Sequence, residues 1–249
     1  MLNDEQSHSL VGFASKGLIW CKGHWIRVAV LVMAAITIEQ VATLPFGDVV
    51  SLARKNPGKT SFMVYEATAA KNEGKRFNVL QQWKSLKDIP QDVVNAVVVA
   101  EDGTFWSHHG FDWYELKESL GRDLEEGRAA RGASTITQQL VKNLYLSPSK
   151  NPFRKIKEWI LTWWMERNLS KSRILELYLN VIEWGYGVYG IEAAALYHFG
   201  KPAELLTKPE AARLAAIIPD PKDHHADSDS QYVMRRSGII LDRMEARGY

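Results

Sequence analysis

Apolar residues follow different patterns in different parts of this chain. In residues 18–46 they are almost continuous, with an uninterrupted heart at 28–38. A membrane-spanning helix needs about 20 residues. Residues 26–44 reach that length and take in Arg27, Glu39 and Gln40. Arg27 can snorkel from the end. Glu39 near the far interface costs much less than the roughly 2.5–3.5 kcal/mol of an acid at mid-helix. Trp20 and Trp25 then sit at the near interface. A cleaved signal peptide shares the basic start and short apolar core, but no small-x-small cleavage site follows. The expectation is a tail at 1–25 and an uncleaved transmembrane helix at 26–44. Basic residues flank both ends (Lys16, Lys22 and Arg27; Arg54, Lys55 and Lys59), so charge does not orient it.

Residues 45–85 lack a strong period. Pro57-Gly58 signals a turn, 71–75 reads as a polar loop, and 61–68 suits a short strand or extended strap. This stretch is expected to be a juxtamembrane connector leading to a globular domain at 86–249.

The domain reads as mostly helical. Pro90 suits a first turn leading into 91–100. The run 93–100, apolar except for Asn95, shows no clean polar face, so that helix should be buried on all sides. A second helix covers 112–126, ended by Gly127, and Arg131-Gly132 is a turn. Thr135 to Gln138 fits a capping box opening a helix over 136–144. Pro152 precedes a helix over 153–167 with Ile156, Trp159, Ile160, Trp163 and Trp164 as its apolar stripe. Ser170 is the next N-cap, with Leu169 and Ile174 as a hydrophobic staple. Residues 188–199 form a small-residue helix stopped by Gly200 and Pro202, and Thr207-x-x-Glu210 caps another that Pro219 ends. His224-His225 lacks a metal-ligand pattern and reads as part of a solvated polar tail.

Composition changes the picture little: 46% hydrophobic and 24% charged is globular, and a net charge of +2 gives no reason to expect a nucleic-acid partner. One cysteine, Cys21, excludes an internal disulfide or a CxxC motif. Nine tryptophans suit flat sugars or a membrane interface as well as a core.

Chemistry concentrates in three stretches. The buried run ends in Glu101 and Asp102, followed by Phe105, Trp106, His108, His109 and Gly110. A carboxylate at the end of a buried helix is poorly solvated, which raises its pKa toward general acid–base work; the plain alternative is a polar helix end meeting water. Residues 131–143 crowd Ser134, Thr135, Thr137, Gln138, Gln139, Lys142 and Asn143 around one helix start. Capping uses one or two of them, and the others suit sugar or phosphate oxygens, against the alternative of a solvated face. Arg154, Lys155 and Glu158 share a helix face, either as a surface ion pair or as a diphosphate-binding cluster with a second carboxylate. Together these suggest glycosyl transfer or cleavage. Ser147-Pro148-Ser149-Lys150 matches a transpeptidase SxxK, but no Lys-Thr-Gly accompanies it, so it reads as a loop.

The stretches resemble the glycosyltransferase domain of peptidoglycan polymerases. The matching residues are Glu101-Asp102-x-x-Phe105-x-x-His108-x-Gly110, then Gly132-Ala133-Ser134-Thr135-Ile136-Thr137-Gln138-Gln139-Leu140-x-Lys142-Asn143, then Arg154-Lys155-x-x-Glu158. Ser170-Lys171-x-Arg173-Ile174-Leu175-Glu176-x-Tyr178-x-Asn180 and Gly187-x-x-Gly190-x-x-Ala193-Ala194 continue the match, over residues 80–220. The resemblance implies a mainly α, lysozyme-like, two-lobed domain behind one N-terminal transmembrane helix. It implies lipid II as substrate and a polyprenyl-diphosphate-linked glycan chain as donor, attacked with inversion by the N-acetylglucosamine 4-hydroxyl. It assigns Glu101 as general base and Glu158 as support for the donor site, with a divalent cation (Mg or Mn) left open and no cofactor required. Lys142, Arg154 and Lys155 are implied to stabilise the diphosphate. Ser134, Thr135, Gln138, Gln139 and Asn143 are implied to bind sugar or phosphate oxygens, while Asp102, Phe105 and His108 shape the cleft. It places the enzyme in the bacterial inner membrane with a periplasmic domain, among other cell-wall synthesis proteins. A lysozyme-like hydrolase would not need Lys142 and Arg154, and a non-catalytic scaffold would not need Glu101 and Glu158.

Overall fold

The computed structural model describes residues 24–126, 134–146, 148 and 152–249. The tail at 1–23, Gly127, the turn at 131–132, and Ser147, Ser149 and Lys150 lie outside the described residues. The chain forms two compact units, Met1–Leu44 and Pro45–Tyr249.

In the first unit α1 (Trp25–Ala42) is one 18-residue helix, about 27 Å long at 1.5 Å per residue. It is long and apolar enough to cross a membrane. Its apolar side chains, Val30, Leu31 and Ile38 among them, are exposed, and Glu39 falls in its last turn.

The second unit begins with α2 (Phe46–Ser51) and α3 (Ser61–Asn72). The stretch 61–68, expected as a short strand or extended strap, is therefore helical. The Thr60 side chain caps it by accepting from the Met63 amide at 3.1 Å. Ala67, Ala69 and Ala70 then outweigh the scattered β-formers. The stretch 45–85 is also tied to later helices by hydrogen bonds. The Phe46 carbonyl accepts from Trp164 Nε1 at 3.1 Å, the Leu52 carbonyl from Arg173 Nε at 2.8 Å, and Gln81 Nε2 donates to the Asn180 carbonyl at 2.8 Å.

Next come β1 (Leu80–Gln81) and α4 (Gln91–Glu101). Val93, Val94, Ala96, Val97, Val98 and Val99 are all buried, as an apolar helix without a polar face requires. Then follow α5 (Trp113–Glu126), α6 (Ile136–Tyr145), α7 (Pro152–Asn168) and α8 (Lys171–Val181). The capping box at Thr135 and Gln138 and the Ser170 cap are both present. The stripe on α7 is split: Ile156, Trp159 and Trp163 are exposed, Ile160 and Trp164 are half-buried, and the buried face carries Glu158, Leu161, Thr162 and Met165.

A small sheet follows, with β2 (Glu183–Gly185) antiparallel to β3 (Val188–Tyr189) and β1 parallel to β3 on its other side. The helix expected from 188 thus starts later, as α9 (Ile191–Phe199). Gly190 sets the break with φ of +83°, and a Cβ there would stand 2.8 Å from the Asn180 carbonyl oxygen. The chain ends in α10 (Lys208–Ile217) and α11 (Gln231–Ala246), packed on each other and on α4. The region read as a polar tail is thus mostly a helix, burying Val233, Ser237, Ile240 and Met244 at helical spacing.

Candidate active site

The site is built on a junction between α4 and α6. Asp102, the first residue past α4, is buried and accepts from the Ile136 amide at 3.0 Å. A carboxylate at a helix N-terminus satisfies an otherwise orphaned donor and the helix dipole together. The other Asp102 oxygen meets His108 Nε2 at 2.9 Å, while His108 Nδ1 accepts from the Gly110 amide at 3.1 Å. His108 is thereby fixed with its proton on Nε2. Gly110 closes this corner. Its φ is +88°, its carbonyl accepts from the Thr135 hydroxyl at 2.8 Å, and a Cβ there would lie 2.8 Å from Thr162 Cγ2. Phe105 is fully buried beneath, with Lys171 Nζ 4.4 Å from its ring centroid. Asp102, Phe105, His108 and Thr135 therefore spend their polar atoms and volume on holding the junction, not on lining the cavity.

One turn into α6, Gln139 Nε2 donates to Glu101 Oε2 at 2.9 Å. Gln139 Oε1 accepts from the Tyr178 hydroxyl at 2.9 Å. Burial holds the Tyr178 pKa well above its ordinary value, with Glu101 and Asp102 adding to it, so this hydroxyl remains a donor. Tyr178 thus fixes which way the Gln139 amide points. Asn143 Nδ2 donates to the Gln139 carbonyl at 2.9 Å and steadies the same turn.

The Glu101 side chain is only 10% exposed, and Arg236 Nη2 approaches its Oε1 at 3.4 Å. Burial raises the Glu101 pKa above the usual 4.5, and Asp102 adds to this. Gln139, Arg236 and Lys142 act in the opposite direction. Lys142 opens to the cleft, yet the protein around its ammonium lowers its pKa; Arg154 and Lys155 push the same way, and Glu158 and Glu101 oppose them. The ammonium therefore feels both acids.

Glu158, buried on α7, accepts from Arg154 Nη1 at 3.1 Å and pairs with Lys155 through its other oxygen. A divalent cation at Glu158 would have to displace one of these partners, so its oxygens are better matched to holding the two cations. Lys155, Gln138 and Ser134 line a pocket of about 180 Å³ with Phe111 and Trp159. Ser134 also lines the main cavity, of about 810 Å³, beside Glu101, Gln139 and Lys142.

The far part of that cavity comes from outside the three chemistry-bearing stretches. His224, Tyr232 and Arg236 line it. His224 stacks on Tyr232 with ring centroids 3.9 Å apart, so it is not part of a solvated tail. Arg236 Nε is buried without an acceptor among the described residues. The signal for this region was the spacing of Val233, Ile240 and Met244, which marks 231–246 as an amphipathic helix whose Tyr232 and Arg236 share a turn.

The chain matches the family model described as Transglycosylase over residues 69–245. A protein named biosynthetic peptidoglycan transglycosylase from Dechloromonas aromatica (strain RCB) is 38% identical over 224 residues, covering 90% of this chain and 96% of the relative. One of the same name from Acinetobacter baumannii (strain AB307-0294) is 39% identical over 228 residues, 90% of this chain and 97% of the relative. One from Methylobacillus flagellatus is 37% identical over 214 residues, 86% of this chain and 93% of the relative. The match spans the connector's end and the C-terminal helix as well as the motif stretches, and the domain is mainly helical and lysozyme-like. The chain belongs to the transglycosylase family.

Proposed function

We propose that this enzyme polymerises lipid II into glycan strands, with Glu101 as the general base. It is a peptidoglycan glycosyltransferase of cell-wall synthesis. The observation that carries the mechanism is a buried carboxylate of raised pKa in the same cavity as Lys142, with Arg154 and Lys155 within electrostatic reach of that lysine. Glu101 takes the proton of the acceptor N-acetylglucosamine 4-hydroxyl. The hydroxyl oxygen forms its bond to the donor anomeric carbon from the face opposite the diphosphate, inverting that centre. The carbon–oxygen bond to the diphosphate breaks, and its electron pair leaves on the diphosphate oxygen. Lys142, Arg154 and Lys155 balance the charge that develops there, and Glu158 holds the last two in place. Ser134, Gln138 and Gln139 offer polar atoms to sugar or phosphate oxygens at the cavity walls.

The substrate's lipid tail places the reaction at a membrane, and two features suit that position. α1 is a candidate span. In the catalytic unit, Trp113, Ile156, Trp159 and Trp163 are exposed, Trp159 lines the same pocket as Lys155, and Arg167 lies over Trp163 at 4.6 Å. Aromatic rings with adjacent cations are the composition of a membrane–water interface. We assign the protein to the inner membrane with its domain in the periplasm. A membrane-tethered cleft meets lipid-linked substrate at high effective concentration.

The test is polymerisation of labelled lipid II by the full chain in detergent, with Glu101→Gln beside it. Polymer from the wild type and none from the variant is expected. Polymer from the variant would overturn the assignment of the base. No polymer from folded wild type would overturn the substrate.

A further inference from the structure

Away from the cleft, two imidazoles and a carboxylate converge. His198 comes from the last turn of α9, and His225 and Asp227 come from the loop that leads into α11. One donor atom from each lies within 4.8 Å of the others. His198 is buried, and its Nε2 lies 2.8 Å from the Trp184 carbonyl oxygen. A carbonyl accepts only, so Nε2 carries the proton and Nδ1 presents a lone pair. A backbone carbonyl that fixes a histidine tautomer in this way is the usual outer support of a metal-ligating imidazole.

The Nδ1 lone pair is poorly used. Its backbone contact, the Ala226 amide, stands at 3.3 Å, beyond the ordinary length of such a bond. Asp227 Oδ1 stands at 3.9 Å, too far for a hydrogen bond. His225 is exposed, stacks on Tyr197 with centroids 5.8 Å apart, and holds its ring 5.7 Å from that of His198. Three strong donors thus lie close together, with Asp227 beyond hydrogen-bond reach of His198 Nδ1.

We propose that His198 Nδ1, His225 and Asp227 bind a divalent transition metal of the zinc class, with water completing the shell. Two imidazole nitrogens and one carboxylate oxygen select such a metal over magnesium or calcium, which take oxygen ligands. Zinc bonds of about 2.0–2.2 Å space tetrahedral ligands roughly 3.4 Å apart. The exposed His225 and Asp227 side chains close the remaining distance by rotation, and the Ala226 amide gives up its long contact.

The metal takes no part in glycosyl transfer. It clips the loop at 225–227 to α9. That loop follows His224 and runs into α11, and His224, Tyr232 and Arg236 all line the main cavity. The clip therefore fixes the cavity wall that Arg236 belongs to.

Cobalt(II) is the probe, because its visible bands report nitrogen ligation and coordination number. It is titrated into the full chain in detergent, followed by competition with zinc. One tight cobalt per chain is expected, displaced by zinc, and retained in Glu101→Gln. Binding is expected to weaken at least about tenfold in each of His225→Ala and Asp227→Ala. Both positions are exposed, so both variants keep their far-ultraviolet circular dichroism. Zinc should raise the Tm of the wild type and leave that of the two variants unmoved. Absence of stoichiometric cobalt binding, or binding that neither substitution changes, overturns the site.

Discussion

Glu101 and Glu158 are both buried acids beside Lys142, and the two regions around them are built differently. Glu101 ends an apolar helix. Its close partner is a neutral amide, and its cation, Arg236, stands off at 3.4 Å. Glu158 sits between Arg154 and Lys155, with a cation on each oxygen. The first environment leaves a proton acceptor whose charge is under-compensated. The second consumes the acid in holding cations. Residue type alone does not distinguish them; the partners do.

Four experiments sharpen or break that contrast. The largest effect belongs to Glu101→Gln, expected to cost at least about 100-fold in kcat, the range of a lost general base. It should not cost stability. A group whose folded pKa is raised contributes stability at low pH and loses it as pH rises through the folded value. Thermal denaturation should therefore show the Gln variant gaining on wild type as pH climbs above about 4.5.

Glu158→Ala should behave in the opposite sense. It strips two cations of their shared partner and is expected to lower stability by about 1–3 kcal/mol, less than for a fully buried pair because Arg154 and Lys155 are partly exposed. Chemical denaturation measures this. A stable Glu158→Ala variant would erase the distinction between the two acids.

Tyr178→Phe removes the hydroxyl that orients Gln139. One hydrogen bond of about 1 kcal/mol corresponds to roughly a fivefold loss in kcat. Gln139→Ala should abolish any further effect of Tyr178→Phe in a double-mutant cycle.

The smallest expected effect is a shift. Arg236 favours the ionised form of Glu101, so Arg236→Gln should raise the Glu101 pKa. The acid limb of the kcat/KM profile should then move to higher pH. A limb moving to lower pH would place the charge balance elsewhere.

Several local structures were legible because neighbouring residues decide them. The capping boxes at Thr135 and Thr207, the Ser170 cap and the buried run in α4 follow from side chains three or four positions apart. The stretch 61–68 suits a strand or extended strap by its mixed apolar pattern, and the Thr60 cap with three alanines decides for helix. The apolar stripe on α7 is legible in the sequence, and its exposure at Ile156, Trp159 and Trp163 is not. Periodicity marks a face but not what covers it.

The sequence by itself picked out the candidate groups: Glu101 at the end of an apolar helix, Lys142 one turn beyond Gln139, and Arg154, Lys155 and Glu158 on one face. Each depends on spacing within a single helix, and helical geometry is fixed over such distances. Only the tertiary structure decided which partners surround each of them. Asp102 reaches across 34 positions to the Ile136 amide, Tyr178 across 39 to Gln139, and Arg236 across 135 to Glu101. No local rule encodes such contacts, because packing between separate helices brings them together. That packing removes water from Glu101 and gives the acid its basicity.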